Sequence, residues 1–262
     1  MRKCYVVSFS GGMDSTALLL HLIARAEGAQ PSALRSPVLI KGVSFDYGQK
    51  HRIELQCASH NAQRLSALTG ATITHQIVDL RDAFSDSVSS LSAGAGMDIP
   101  QGHYADENMK STVVENRNVI FSAIVYSKAL SLSKMLDSDV TIALGIHQGD
   151  HTIYPDCRPE SYELAKELFR ISNWGSERLH YEAPFLHIDK GGILRTAIEA
   201  LDSLGLSAHF DEIFSHTNTC YHPSAAGQPC GRCGACHERL LAFAALGLSD
   251  PLLAKTTPFL AN

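Results

Sequence analysis

The chain has 262 residues, enough for one large α/β domain with an appendage or for two small domains, and one main core is the simpler expectation. Hydrophobic residues make up 45% and charged residues 19%, which excludes a disordered or fibrous chain. Lys and Arg number 22 against 27 Asp and Glu, a net charge of −5, so no global basic field gathers nucleic acid and direct nucleic-acid binding is not expected. The longest apolar runs fall short of a membrane span, and the opening Met1-Arg-Lys-Cys4 leads into the first strand without a signal-peptide core, so a cytoplasmic protein with no membrane partner is expected. Seven cysteines, four of them between Cys220 and Cys236, suit a metal site in a reducing compartment better than a disulfide framework.

Cys4 to Phe9 is short, apolar and rich in β-branched and aromatic residues, which predicts a buried strand. Thr16 to Ala24 is apolar nearly all round and predicts a helix pressed on a sheet. Between them stands Ser10-Gly11-Gly12-Met13-Asp14-Ser15. A strand, a glycine turn and a helix in succession form a phosphate cradle: glycines let the backbone approach an anion, the Ser10 and Ser15 hydroxyls add donors, and free amides at the helix start point at the ligand. The turn has no lysine, as a Walker A loop requires, and its glycines are adjacent, unlike a dinucleotide fingerprint. Asp14 would repel phosphate unless it caps the helix, touches ribose or water, or holds Mg²⁺ that bridges phosphate oxygens. The hexapeptide resembles the signature of the ATP pyrophosphatase (PP-loop) superfamily, which implies cleavage of ATP between its α- and β-phosphates and adenylation of a substrate. Ser8, Ser10, Gly11, Gly12, Asp14 and Ser15 are then the expected ATP contacts at this end.

Glu27 to Ser36 reads as a loop, and Pro37 to Phe45 as a second strand. At that strand's carboxyl end, where open α/β sheets bind ligands, stand Asp46, Tyr47 and Gln49. Asp46 can accept from an adenine amine or a ribose hydroxyl and Tyr47 can stack; the plainer alternative is a strand-end turn with an Asx cap. A helix over Ile53 to Leu68 stops at Gly70, and Ala71 to Val78 returns as a third strand, which implies a doubly wound parallel sheet. From Asp79 to Glu115 the periodicity fails, and a connection this long predicts a lid over the ATP turn. Asn116-Arg117-Asn118 opens a helix reaching Ser133; Arg117 can hold a carboxylate or phosphate in two-pronged fashion, or simply cap the helix.

Val140 to Leu144 predicts a fourth strand, and the stretch from Gly145 to Glu160 that follows gathers His147, Asp150, His151, Tyr154, Asp156, Cys157 and Arg158 at its carboxyl end. Such polar density at a strand end signals a site. A helix from Pro159 to Ile171, a strand from Leu179 to Ala183 and a helix from Ile193 to Leu204 complete the order. Lys190, near that last helix's start, puts a cation at the positive end of the dipole, which is unfavourable unless it faces an anion such as pyrophosphate.

Cys220, Cys230, Cys233 and Cys236 have the spacing of a closed tetrahedral zinc site, with His222 or His237 in place of one thiolate, or an iron–sulfur cluster, as alternatives. The knuckle leads into an amphipathic helix from His237 to Leu246. The expected division is a PP-loop, Rossmann-like domain over 1–215, with 79–115 inserted, and a zinc-binding region over 216–262.

With the turn and the knuckle together, the chain is similar to the 7-cyano-7-deazaguanine synthase family over almost its whole length. The resemblance rests on the hexapeptide, Phe45-Asp-Tyr-Gly-Gln49, Arg117-Asn118, Tyr154-Pro-Asp-Cys-Arg-Pro159, Ile188-Asp-Lys190, Thr219-Cys-Tyr221 and the knuckle. It implies a homodimer, Mg²⁺-ATP, one structural zinc per chain and 7-carboxy-7-deazaguanine as substrate, whose carboxylate is adenylated, converted by ammonia to the amide and activated again to reach the nitrile. It also implies Asp14, Arg117, Asp156, Arg158 and Lys190 as catalytic, and Arg117, Asn118, His147, Asp150, Tyr154, Asp156 and Arg158 as substrate-binding. Two departures stand out: Val114-Glu115-Asn116 where the family has Val-Pro-Gly, and Thr152-Ile153 where it has Ser-Gly. Placed near the deazaguanine pocket, these suggest a changed acceptor, a protein amine as in antiviral relatives. A reading of another class is a catalytically silent nucleotide-binding partner, against which Asp14, Arg158 and Lys190 argue.

Overall fold

The computed structural model of the chain describes residues 3–27, 38–103 and 107–254. The expected loop from Glu27 to Ser36 and the first residue of the second strand lie outside the described residues, apart from Glu27, which ends a helix. Five strands form one parallel sheet in the order β3-β2-β1-β4-β5: β1 (Cys4–Ser8), β2 (Leu39–Asp46), β3 (Thr72–Asp79), β4 (Val140–Ala143) and β5 (Leu179–Glu182). Parallel neighbours need crossovers, and these run through α1 (Met13–Glu27), α2 (Ile53–Thr69), α3 (Arg117–Leu136) and α4 (Pro159–Ser172). After β5 come α5 (Lys190–Leu204), α6 (Phe210–Phe214), α7 (Gly234–Ala245) and α8 (Pro251–Ala254).

β1 is central, and its alternating side chains divide the core. Tyr5, Val7 and Phe9 join α1, α5 and α7 on one face, where Leu18, Leu22, Ile193, Leu201 and Phe243 are buried. Cys4 and Val6 face α3 on the other, with Val125, Tyr126 and Ala129. The strand order reverses at β1, with β2 on one side and β4 on the other, and such a switch point opens a crevice at the strands' carboxyl ends. α3 has 20 residues, and an 18-residue window of it has a mean hydropathy of 1.4, which by length and composition alone would suffice to cross a membrane. Here its apolar residues pack against β1 and β4 instead.

The described residues of the segment over 79–115 pack against the end of β2 and the cysteine knuckle. They make short 3₁₀ turns at Asp82–Phe84, Ala93–Ala95 and Glu107–Thr112. Phe84, Leu91, Ile99 and Val114 are buried against Tyr47 and the cysteine knuckle, and backbone bridges join Gln49 to Ser92 and Gln101 to Cys233. The apolar residues of the segment are therefore spent on clasping the end of β2 to the knuckle.

The C-terminal part is packed into the main core through Ala242 and Phe243. Arg239, 3% exposed, fixes it with a two-pronged pair to Asp250 at 2.6 and 2.8 Å and with bonds to Thr217 Oγ1 and the Phe214 carbonyl. A buried guanidinium is tolerated because each prong meets an acceptor.

Candidate active site

A cavity of about 240 Å³ opens above the carboxyl ends of β1, β2 and β4. Ser8, Ser10, Gly12, Asp14 and Ser15 line one part of it; Tyr47, Arg117, Asn118, His147, Asp150, Tyr154 and Lys190 line the rest.

The helix after the phosphate turn begins at Met13, three residues earlier than expected, so Asp14 and Ser15 stand in its first turn. Ser15 Oγ accepts from Gly11 N at 3.1 Å and donates to the Gly12 carbonyl at 3.2 Å, while Ser10 Oγ accepts from Gly12 N at 3.2 Å. Gly11 has φ +85°, and a Cβ there would collide with the Glu54 carbonyl oxygen and stand 2.6 Å from Ala58 N. Its glycine is therefore required by the backbone of α2 lying against the turn, as well as by the left-handed conformation. It does not itself line the cavity.

Lys190, 5% exposed at the start of α5, lies 3.3 Å from Asp14 Oδ2 and 2.6 Å from Glu238 Oε2. Asp189 caps that helix by accepting from Gly192 N, which fixes where Lys190 stands. Burial works against the ammonium, but Asp14 and Glu238 outweigh it and hold its pKa above the ordinary lysine value. The anions that offset its place at a helix N-terminus are thus carboxylates of the chain itself. His147 is buried beside them; its Nδ1 accepts from Gly149 N at 3.0 Å, and its Nε2 lies 3.6 Å from Asp150 Oδ1 and 3.8 Å from Asp14 Oδ2. A Cβ on Gly149 would collide with Glu238 Oε1 and stand 2.7 Å from His147 Cε1, so those side chains would have to shift. Three carboxylates against one lysine leave this end with surplus negative charge. Asp14 Oδ1 is buried with no hydrogen-bond partner among the described residues, as a ligand to a cation would be. These residues fit a polyphosphate only together with a divalent cation.

The other wall is aromatic. The Arg117 guanidinium lies over Tyr47 at 5.5 Å and over Tyr154 at 5.7 Å from the ring centres, and its Nη1 donates to Tyr47 Oη at 3.1 Å. Among the described residues no carboxylate lies within ion-pair distance of it. Tyr154 Oη bonds with Thr112 Oγ1 at 2.7 Å and Tyr221 Oη at 3.1 Å, which fixes its ring.

Several expected contacts fall elsewhere. Asp46 pairs with Arg52 at 2.6 Å and accepts from Gly48 N, the Asx turn of the plainer alternative, and it does not line the cavity. Gln49 is spent on Tyr47 N, the Phe45 carbonyl and Glu54 Oε1, bracing the turn from behind. Asp156 turns to Asn118, accepting from its N and Nδ2 at 3.1 Å each, and so anchors the start of α3 beside the cavity rather than in it. Arg158 is exposed and donates to the His151 carbonyl. Neither family departure reaches the cavity: Glu115 is exposed and accepts from Ser87, and Ile153 is buried with Met109, Tyr154 and Cys157.

Other lining residues were not anticipated: His51 just before α2 and Glu54 in its first turn, Phe121 and Ser122 of α3, and Asn218, Thr219 and Tyr221 around the first knuckle cysteine. Glu238 was missed too. Its signal is helical spacing, since it follows Gly234 and Ala235 by four and three residues on a face that those two bury.

The four knuckle sulfurs lie within 4.8 Å of one another, and Cys230 and Cys236 are 4.0 Å apart. Zn–S bonds of about 2.3 Å in a tetrahedron separate sulfurs by about 3.8 Å, so the set fits one zinc ion. Amides of His222 and Cys230 donate to Cys220 Sγ, and those of Arg232 and Cys233 to Cys230 Sγ, as suits thiolates. His222 and His237 are not part of the set.

Residues 4–247 match the family described as queuosine biosynthesis protein QueC. Curated relatives named 7-cyano-7-deazaguanine synthase include one from Marinomonas sp., 39% identical over 96% of this chain and 98% of the relative, and one from Marinobacter nauticus, 40% identical over 96% and 97%. Another, from Methanoregula boonei, is 37% identical over 94% and 97%. Among solved structures, the U34-tRNA thiolase NcsA from Methanococcus maripaludis is similar with a TM-score of 0.37 and 14% identity, over 76% of this chain and 56% of that one, too slight a likeness to argue from. By its matched length and by these relatives, the chain belongs to the QueC family of queuosine biosynthesis proteins.

Proposed function

We propose that this enzyme makes 7-cyano-7-deazaguanine from 7-carboxy-7-deazaguanine by adenylating the carboxylate with ATP, forming the amide with ammonia and activating once more to the nitrile. One observation carries the reading: a single cavity sets an anion-cradling turn opposite Arg117, a cation with no carboxylate of the chain within ion-pair distance among the described residues. The turn takes the β- and γ-phosphates, Arg117 takes the substrate carboxylate, and Lys190 offsets charge on the departing pyrophosphate. Mg²⁺ bound with ATP would supply the positive charge that Asp14, Asp150 and Glu238 leave wanting, and Asp14 is the residue to reach it. Asn118, His147, Asp150 and Tyr154 shape the substrate's surroundings, and Asp156 positions Asn118. The knuckle holds a structural zinc, since four thiolates leave no open coordination position.

The reading carries a cytoplasmic homodimer with it. α4 buries only Tyr162 among its side chains and turns Leu164, Leu168 and Ile171 outward, with Trp174 beyond its end. Its charges pair within the helix, Glu163 with Lys166 at 2.8 Å and Glu167 with Arg170 at 2.6 Å, which leaves the apolar strip to meet a second copy. A protein amine as acceptor loses its motive, because Glu115 and Ile153 do not line the cavity.

Incubation with ATP, Mg²⁺, 7-carboxy-7-deazaguanine and ammonium, followed by mass spectrometry, is expected to yield the nitrile, AMP and pyrophosphate. Release of ADP and orthophosphate would overturn the adenylation. Adenylate or amide that never becomes nitrile would point to a different acceptor.

A further inference from the structure

Glu54 stands in the first turn of α2 and lines the same cavity as Asp14 and Arg117, with its side chain 12% exposed. Its Oε1 accepts from Gln49 Nε2 at 2.9 Å and lies 3.6 Å from His51 Nε2. Among the described residues no hydrogen bond reaches Oε2, and no lysine or arginine lies within ion-pair distance of the carboxylate. A buried carboxylate with one oxygen held and the other free, in a cavity walled by Tyr47 and Phe121, is a seat for a small cation.

We propose that Glu54 seats the ammonium ion from which the incoming nitrogen comes and accepts its first proton. This rests on the adenylation reading above. Ammonia is almost wholly protonated near neutrality, and ammonium has no lone pair with which to attack. Proton transfer from nitrogen to Glu54 Oε2 frees that pair. The pair forms the C–N bond at the acyl carbon; the bond from that carbon to the phosphate oxygen breaks, its electrons leave with AMP, and water carries off the second proton.

The neighbours fit this use. The groups facing Glu54 are Tyr47 from the turn after β2, His51 and Cys57 from α2 and its approach, and Arg117 from α3. Burial, aided by Arg117, drops His51 to about 3, and burial lifts Cys57 to about 11, so neither changes charge near neutrality. Burial lifts Glu54 to about 7, opposed by the Gln49 hydrogen bond and by Arg117, which lets it hold and release a proton in that range. Arg117 also keeps a cation from binding too firmly. The alternative ligand for a carboxylate here is the two-donor edge of the deazaguanine ring, and the KM for the deazaguanine in the variant below separates the two.

The test uses full-length Glu54→Gln with its zinc. Carboxylate-dependent ATP–pyrophosphate exchange reports adenylation; amide formation from ammonium reports the second step. Amide formation is expected to fall about 100-fold further than exchange, with hydroxylamine, neutral at pH 7, restoring acyl transfer to within about tenfold of wild type. Rescue also shows that the variant is folded. Equal loss of exchange and amide formation, or a raised KM for the deazaguanine with an unchanged response to ammonium, overturns the proposal. Wild-type protein without exchange overturns the adenylation reading instead, and this inference with it.

Discussion

Glu238 on α7 meets Lys190 at the start of α5 at 2.6 Å, and through that contact the helix that grows out of the cysteine knuckle touches the phosphate turn. Both side chains are largely buried, at 17% and 5% exposed. Removing one partner of such a pair strands the other in a poor solvent. Glu238→Gln is expected to cost about 3 kcal/mol, a fall in melting temperature of roughly 10 °C, and to lower ATP–pyrophosphate exchange. Calorimetry and the exchange assay check it; an unchanged melting point would mean that Asp14 alone satisfies Lys190.

Metal removal is expected to act at a distance. Cys233→Ser, or a strong chelator, frees the start of α7 and with it Glu238, so zinc content, thermal stability and exchange should fall together. Atomic emission spectrometry on protein before and after chelation gives the metal. Finding iron, or full activity in metal-free protein, contradicts the assignment.

The two glycines of the turn differ in what they tolerate. Gly11→Ala meets the α2 backbone and a positive φ, whereas Gly12→Ala meets the Asn218 carbonyl at 3.3 Å. The first is expected to destabilise the fold by more than about 2 kcal/mol and the second by less than about 1 kcal/mol. Denaturant unfolding ranks them, and a reversed order would show that α2 shifts to make room.

Stability should depend on pH through Glu54. Its carboxyl rises from 4.5 to about 7 in the fold, so the folded protein keeps a proton that the unfolded chain has lost. That contribution is fully present below 4.5 and disappears as pH rises through about 7. Relative to wild type, Glu54→Gln should gain on the order of 3 kcal/mol at about pH 8 and almost nothing near pH 4.5. His51, lowered from 6.5 to about 3, works the other way, and its contribution is lost as pH falls from 6.5 toward 3. Urea titrations of both proteins across this range separate the two, and parallel curves would remove the Glu54 term.

The outward strip of α4 gives the last prediction. Leu168→Glu places a charge in the middle of Leu164, Leu168 and Ile171 and should convert the proposed dimer to monomer while the melting point stays within a few degrees, as about 1 kcal/mol or less is expected for an exposed site. Sedimentation velocity checks it; a wild-type monomer at micromolar concentration would sink the homodimer.

How far the sequence could be read depends on how local each piece of chemistry is. The turn from Ser10 to Ser15 and the four cysteines carry their ligand atoms within short stretches, so spacing alone announces them. The five strands followed from runs of apolar residues between turns. Asp46, Gln49 and Arg158 each hydrogen-bond to a neighbour along the chain, a placement that no pattern of residue types reveals. Glu54, His51 and Glu238 are not singled out by the sequence, because their places are decided by tertiary packing: Glu54, and His51 in the turn before α2, by α2 lying against Gly11, and Glu238 by α7 reaching α5.

The hydroxyls of Ser10 and Ser15 already occupy the amides of Gly12 and Gly11. Nothing in the turn has to order itself for a phosphate to enter; the ligand exchanges its oxygens for two hydroxyls that then swing to it as donors. Such an exchange releases little heat per contact and loses little freedom, so the turn is a poor trap for any small lone anion. On the proposed reading, a ligand that engages the whole arc at once gains more against the two serines than a lone anion does.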